Sequence, residues 1–134
     1  MKKFEILLID DDMIFLMLQK RILISMGVTN PIISFSAPQE AFDYLHGTDI
    51  DTKFLIFLDI NFSNTTAWDF IKTLEDAQLD SKSLIIVASS SVDKNGLMRL
   101  KDFNCVVGFI EKPINKSAIE EIRSKNEEVD LILS

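Results

Sequence analysis

The chain has one cysteine, one histidine, four glycines and three prolines among 134 residues. A lone Cys105 forms no intrachain disulfide, and with the single His46 it offers no soft metal-ligand set. The scarcity of glycine and proline, against 47% hydrophobic residues, excludes collagen-like, low-complexity and disordered chains. Basic residues are also in deficit, 14 against 21 acidic, for a net charge of −7. That sign, with no basic patch, disfavours nucleic acid as a partner. The longest apolar run, Met13 to Leu18, is far short of the roughly 20 residues a bilayer demands. Met1-Lys2-Lys3 and the apolar residues after it superficially resemble a signal peptide. Glu5 and Asp10 interrupt the stretch and no cleavage site follows, so a soluble, cytoplasmic protein is expected. The length suits one domain, 1–134, with no room for a second.

Five short apolar runs punctuate the chain: Phe4 to Ile9, Ile32 to Phe35, Phe54 to Leu58, Leu84 to Val87 and Val106 to Ile110. Each is nearly continuous rather than alternating, as expected of strands covered on both faces in a parallel sheet. Helical segments lie between them. The first spans Met13 to Met26 and stops at Gly27. The second opens at Ser36-Ala37-Pro38-Gln39, a capping hydroxyl with a glutamine three residues on, and closes at Gly47. A third runs from Ala67 to Asp76 and a fourth from about Lys94 to Phe103, capped by Asp93. A fifth covers Lys116 to Val129. Five βα units predict a doubly wound α/β domain, whose ligand site lies beyond the carboxyl ends of the strands.

Those strand ends carry the chemistry. Strand one ends in Asp10-Asp11-Asp12 and strand three in Asp59, so several carboxylates converge on one edge. Such a cluster repels itself unless a hard cation compensates it, and oxygen-only ligands suit Mg2+. Strand four ends in Ser89-Ser90-Ser91, and strand five is followed by Glu111-Lys112-Pro113, adding a hydroxyl and an ammonium. A carboxylate nucleophile, a metal, a lysine and a hydroxyl donor are what transfer of a phosphoryl group to an aspartate requires.

In these residues, and over Ile6 to about Ile122, the chain resembles the receiver domain of two-component response regulators, in particular the single-domain chemotaxis type. The resemblance implies a flavodoxin-like (βα)5 fold with strand order 2-1-3-4-5. By it, Asp10 and Asp11 match the acidic pair and Asp59 the phosphoacceptor. Ser89 matches the switch hydroxyl, Phe109 the switch aromatic, and Lys112 the lysine before a proline. It further implies that Asp11, Asp59 and the backbone carbonyl of Asn61 ligate Mg2+, with Asp10 acting through metal-bound water. The implied partners are a sensor histidine kinase or a histidine phosphotransfer protein as donor, and a downstream protein on the face formed by the fourth helix, fifth strand and fifth helix. Leu97, Met98, Lys101, Phe109 and Ile114 are candidates for that face. No output domain and no activity beyond self-phosphorylation and self-dephosphorylation are expected.

The chain departs from the family pattern after Asp59, where Phe62-Ser63 and Ala67 replace the usual Met-Pro and Gly. A phosphorylation-independent, receiver-like scaffold is therefore the alternative reading. Two other classes fit less well. A haloacid-dehalogenase-type phosphatase needs a second aspartate where Asn61 stands, and a flavin-binding flavodoxin needs a phosphate loop where Asp10-Asp11-Asp12 would repel one. Cys105, Trp68, Phe70, Phe42 and His46 are assigned to packing or structure, and Gly96 to an adaptable fourth helix.

Overall fold

The five apolar runs form a single all-parallel sheet in the order β2-β1-β3-β4-β5. The strands are β1 (Lys3–Ile9), β2 (Ile32–Phe35), β3 (Thr52–Asp59), β4 (Ser83–Ser89) and β5 (Val106–Glu111). The helices are α1 (Met13–Ser25), α2 (Pro38–His46), α3 (Ala67–Asp76), α4 (Lys116–Lys125) and α5 (Glu127–Leu133). This computed structural model describes residues 3–60, 62, 65–89 and 102–134. Most of the segment assigned to the fourth predicted helix, with Asp93, Gly96, Leu97, Met98 and Lys101, lies outside them. Asp102 and Phe103, expected at its end, are not helical.

Continuous apolar runs are needed because successive residues of the central strands enter two different cores. Leu7, Ile9, Ile56, Leu58, Ile85 and Val87 face α2 and α3, packing with Leu45, Ile71 and Leu74. Ile6, Leu8, Leu55, Phe57, Ile86 and Ala88 face the other side, with Leu16, Leu23, Ile119 and Ile132. Helices thus cover both faces, and the edge strands β2 and β5 are only half-buried. β5 and α4 approach closely: a Cβ at Gly108 would sit 2.6 Å from Ile122 Cδ1.

Local signals explain most helix ends. Asp12 caps α1 by accepting from the Ile14 and Phe15 amides, and the chain leaves through Gly27 at φ +85°, a left-handed conformation that glycine adopts without a Cβ clash. Thr66 caps α3 by accepting from the Asp69 amide. Two expectations are corrected. The N-cap of α2 is Ala37, with no side-chain cap bond, and Gln39 donates instead to Asp43 Oδ1 at 3.0 Å, so Pro38 at the first turn sets this start. The fifth predicted helix is two helices. Asn126 is extended (φ −140°, ψ 111°) and its side chain caps α5 by accepting from the Val129 amide at 3.0 Å.

Candidate functional site

Parallel pairing aligns the carboxyl ends of β1, β3, β4 and β5. Ile9 pairs with Leu58, which puts Asp10 and Asp59 side by side one residue on, and Asp59 in turn pairs with Ala88, next to Ser89. The Asp10 amide donates to Phe35 O and the Lys112 amide to Ser89 O at 2.6 Å, tying down both outer members of this edge.

Asp10 is 2% exposed, and both of its carboxylate oxygens are engaged. Oδ1 accepts from the Asp12 amide at 2.9 Å, and Oδ2 accepts from Lys112 Nζ at 2.7 Å. The same ammonium pairs with Asp59 Oδ1 at 3.1 Å and lies 4.2 Å from the centroid of the Phe15 ring. Asp10, Asp11 and Asp59 each present a carboxylate oxygen within 4.8 Å of the others, and Asp11 is exposed. Asp12 points away into its capping role. Ser89, at the end of β4, is buried. Phe109 pairs with Val87 and packs, partly buried, against the α2–α3 core.

Electrostatics follow from this crowding. Burial pushes the Asp59 carboxyl above its ordinary value; the Lys112 hydrogen bond opposes that shift and the neighbouring Asp10 charge adds to it. For Lys112, burial works against the ammonium, but the hydrogen bonds to Asp10 and Asp59 outweigh it and leave its pKa raised. Three carboxylates against one ammonium leave an excess of negative charge in a cluster of oxygen donors. That donor set and charge fit a hard dication such as Mg2+, which the carboxylates of Asp10, Asp11 and Asp59 could hold.

The structure therefore brings together Asp10, Asp11, Asp59, Ser89 and Lys112, whereas Asn61 lies outside the described residues. One surface candidate is corrected: Ile114 is 4% exposed and belongs to the α1–α4 core, because the turn after Lys112-Pro113 folds it inward. Cys105, Trp68 and Phe70 are buried, as expected of packing residues, and burial lifts the Cys105 thiol to about 11. Phe15 was missed as a site residue. Its signal was its place in the first turn after Asp12, on a helix whose start abuts the strand ends.

Among the described residues, no helix is long and apolar enough to cross a membrane. The loop after Asp59 closes through Phe62 N to Thr65 O at 3.0 Å and Ala67 N to Ile60 O at 2.9 Å, so Ala67 serves here where the pattern has glycine.

Comparison with known proteins points one way. No curated protein matches the sequence. Among solved structures, a response regulator receiver protein from Dyadobacter fermentans superposes with TM-score 0.79 at 19% identity, covering 91% of this chain and 96% of that one. A two component response regulator from Cytophaga hutchinsonii gives 0.79 at 24%, covering 93% and 97%. A CheY-like receiver domain protein from Methanospirillum hungatei gives 0.74 at 23%, covering 96% and 98%. At these identities the likeness speaks to the fold. The sequence model for the response regulator receiver domain matches residues 6–124, and this chain belongs to that family.

Proposed function

We propose that Asp59 accepts a phosphoryl group from a histidine of a partner protein, a sensor histidine kinase or a histidine phosphotransfer protein, in a Mg2+-dependent reaction. The observation that carries this reading is the Lys112 ammonium held between Asp10 and Asp59 at 2.7 and 3.1 Å. An Asp59 oxygen attacks phosphorus, the bond from phosphorus to the donor's imidazole nitrogen breaks, and the ring, already protonated on its other nitrogen, leaves as neutral imidazole with the electron pair. Asp11 and Asp59, with the Asn61 carbonyl as the family pattern has it, would hold Mg2+, which would supply charge neutralisation at the phosphoryl oxygens. Asp10 holds Lys112 in place through the exchange, and Lys112 passes from the Asp59 carboxylate to a phosphoryl oxygen. Ser89 donates its hydroxyl to another, and Phe109 follows that movement inward. The chain acts only on its own Asp59, and its output is altered protein contact on the face formed by the fourth predicted helix, β5 and α4.

Incubation with acetyl phosphate, followed by intact mass measurement, tests the reading. One phosphoryl adduct is expected with Mg2+, none after chelation and none in Asp59→Asn. If beryllofluoride, which mimics the acyl phosphate, also fails to bind in the presence of Mg2+, the site is not a phosphoacceptor and the scaffold reading takes its place.

A further inference from the structure

At the amino ends of β3 and β4, on the edge of the sheet opposite Asp10 and Asp59, a cleft of about 500 Å3 opens between the segments that follow α2 and α3. Lys82 lines it. Its ammonium donates to Thr48 Oγ1 at 2.9 Å and to Asp49 O at 3.3 Å, and lies 5.5 Å from the centroid of the Phe54 ring. An ammonium has three protons to donate, and these two partners are neutral oxygens. No carboxylate stands within ion-pair distance of Lys82 among the described residues. Burial lowers its pKa, and the Asp49 charge, itself paired with Lys3 at 3.4 Å, offsets this only in part. Lys53, the other lysine of the cleft, is already committed: it pairs with Glu128 at 3.1 Å and donates to Ser81 O at 3.3 Å.

The rest of the lining is mixed. Ile50, Ala77 and Leu79 contribute apolar surface, and Ile50 is 90% exposed, the most exposed large apolar side chain among the described residues. Gln78 lines the cleft too, and it is the one non-glycine among the described residues with a positive φ, at 60°. It holds the left-handed position that ends α3, where its amide donates to Glu75 O at 2.9 Å and the Leu79 amide to Leu74 O at 2.8 Å. Glycine takes that conformation freely, so glutamine there sets an amide side chain on the cleft at a cost in backbone energy. One ammonium without a counter-ion calls for one negative charge, and Asp51 on the same lining opposes a second. Apolar residues beside that ammonium suit a carboxylate carried on an apolar body, with Gln78 as a further polar contact.

We propose that this cleft binds a small monocarboxylate with an apolar body, its carboxylate on Lys82 and its body against Ile50 and Leu79. Amide NMR shifts of the isotope-labelled full chain, titrated with phenylpropionate, test it. Saturable shifts confined to residues 46–54 and 77–82 are expected, with a Kd on the order of 1 mM for so small a probe. The neutral phenylpropanamide and the dianionic phenyl phosphate should each bind about tenfold more weakly. Lys82→Met keeps the apolar stem without the charge and should weaken phenylpropionate about tenfold. Ile50→Asp, at a side chain already in solvent and so harmless to folding, should also weaken it, while the acetyl phosphate adduct at Asp59 still forms. No shifts at about twenty times the expected Kd, shifts centred elsewhere in the chain, an amide or a phosphate that binds as tightly as the carboxylate, or binding indifferent to both variants would each overturn the proposal.

Discussion

Asp59 is held against its own preference. Burial raises its pKa from 3.8 even with Lys112 beside it, so the folded chain binds this proton more readily than the unfolded chain does. Stability from this group therefore falls as pH rises from about 3.8 upward, and at neutral pH the ionised carboxylate is a net cost. In Mg2+-free buffer, Asp59→Asn should raise Tm by a few degrees at neutral pH and flatten the acid side of the stability profile. A thermal melt series against pH checks this, and a lower Tm would mean that the Lys112 pair outweighs burial. Lys112 shifts in the same direction but in a different pH window. Its pKa is raised above 10.5, so its contribution is complete throughout the neutral range and is lost only as pH climbs through that higher value. The electrostatic strain at Asp59 is thus removable by compensating the carboxylate charge, which is the change a bound cation makes. That perturbation, with Lys112 paired beside it, supports the proposed role of Asp59.

Among the elements, the helices differ in what ends them. Asn126 closes α4 and opens α5 with one extended residue, and the hydrogen bond from the Val129 amide to its side chain is the local tie between them. Asn126→Ala should cost about 1 kcal/mol. Urea unfolding with an unchanged slope checks it, and no shift of midpoint would mean that packing alone sets the junction. This break was not legible in the periodicity of Lys116 to Val129, because apolar residues recur on both sides of it and only a backbone angle at one residue separates two helices from one. The strands were legible almost to the residue, since a sheet buried on both faces leaves continuous apolar runs that nothing else in so short a chain imitates. The placement of the candidate site was legible for the same reason: once strand order is known, Asp10, Asp59, Ser89 and Lys112 each stand at a strand's carboxyl end. Phe15 and the inward turn of Ile114 were not, because both depend on how α1 and the segment after Pro113 pack together, a tertiary matter on which local pattern is silent. The Ser36 cap failed because Pro38 at the first turn already supplied the geometry.

For the whole molecule, the α5 segment carries the core beyond residue 124. The receiver sequence pattern ends at residue 124, yet Val129, Ile132 and Leu133 beyond it are buried with Ile6, Leu8 and Leu23. Two further ties hold them, Asn30 Nδ2 donating to Ile132 O at 2.7 Å and Lys53 pairing with Glu128 at 3.1 Å. This helix covers the amino end of the sheet on the α1 side, opposite the carboxylates, so it supports the core without touching the site. Burying three such side chains contributes about 5 kcal/mol, the low end of the usual range because the unfolded chain is itself partly collapsed. Domains of this size have only about 5–15 kcal/mol in total. A chain ending at Lys125 should therefore lose much of its stability, with a urea midpoint far below that of the full chain, while whatever fraction stays folded keeps its Mg2+-dependent modification at Asp59. Equilibrium unfolding and the acetyl phosphate assay, run side by side on both chains, separate the two effects. An unchanged midpoint would make α5 dispensable to the core, and a stable chain that had lost modification would mean that its influence reaches across the sheet to the carboxylates.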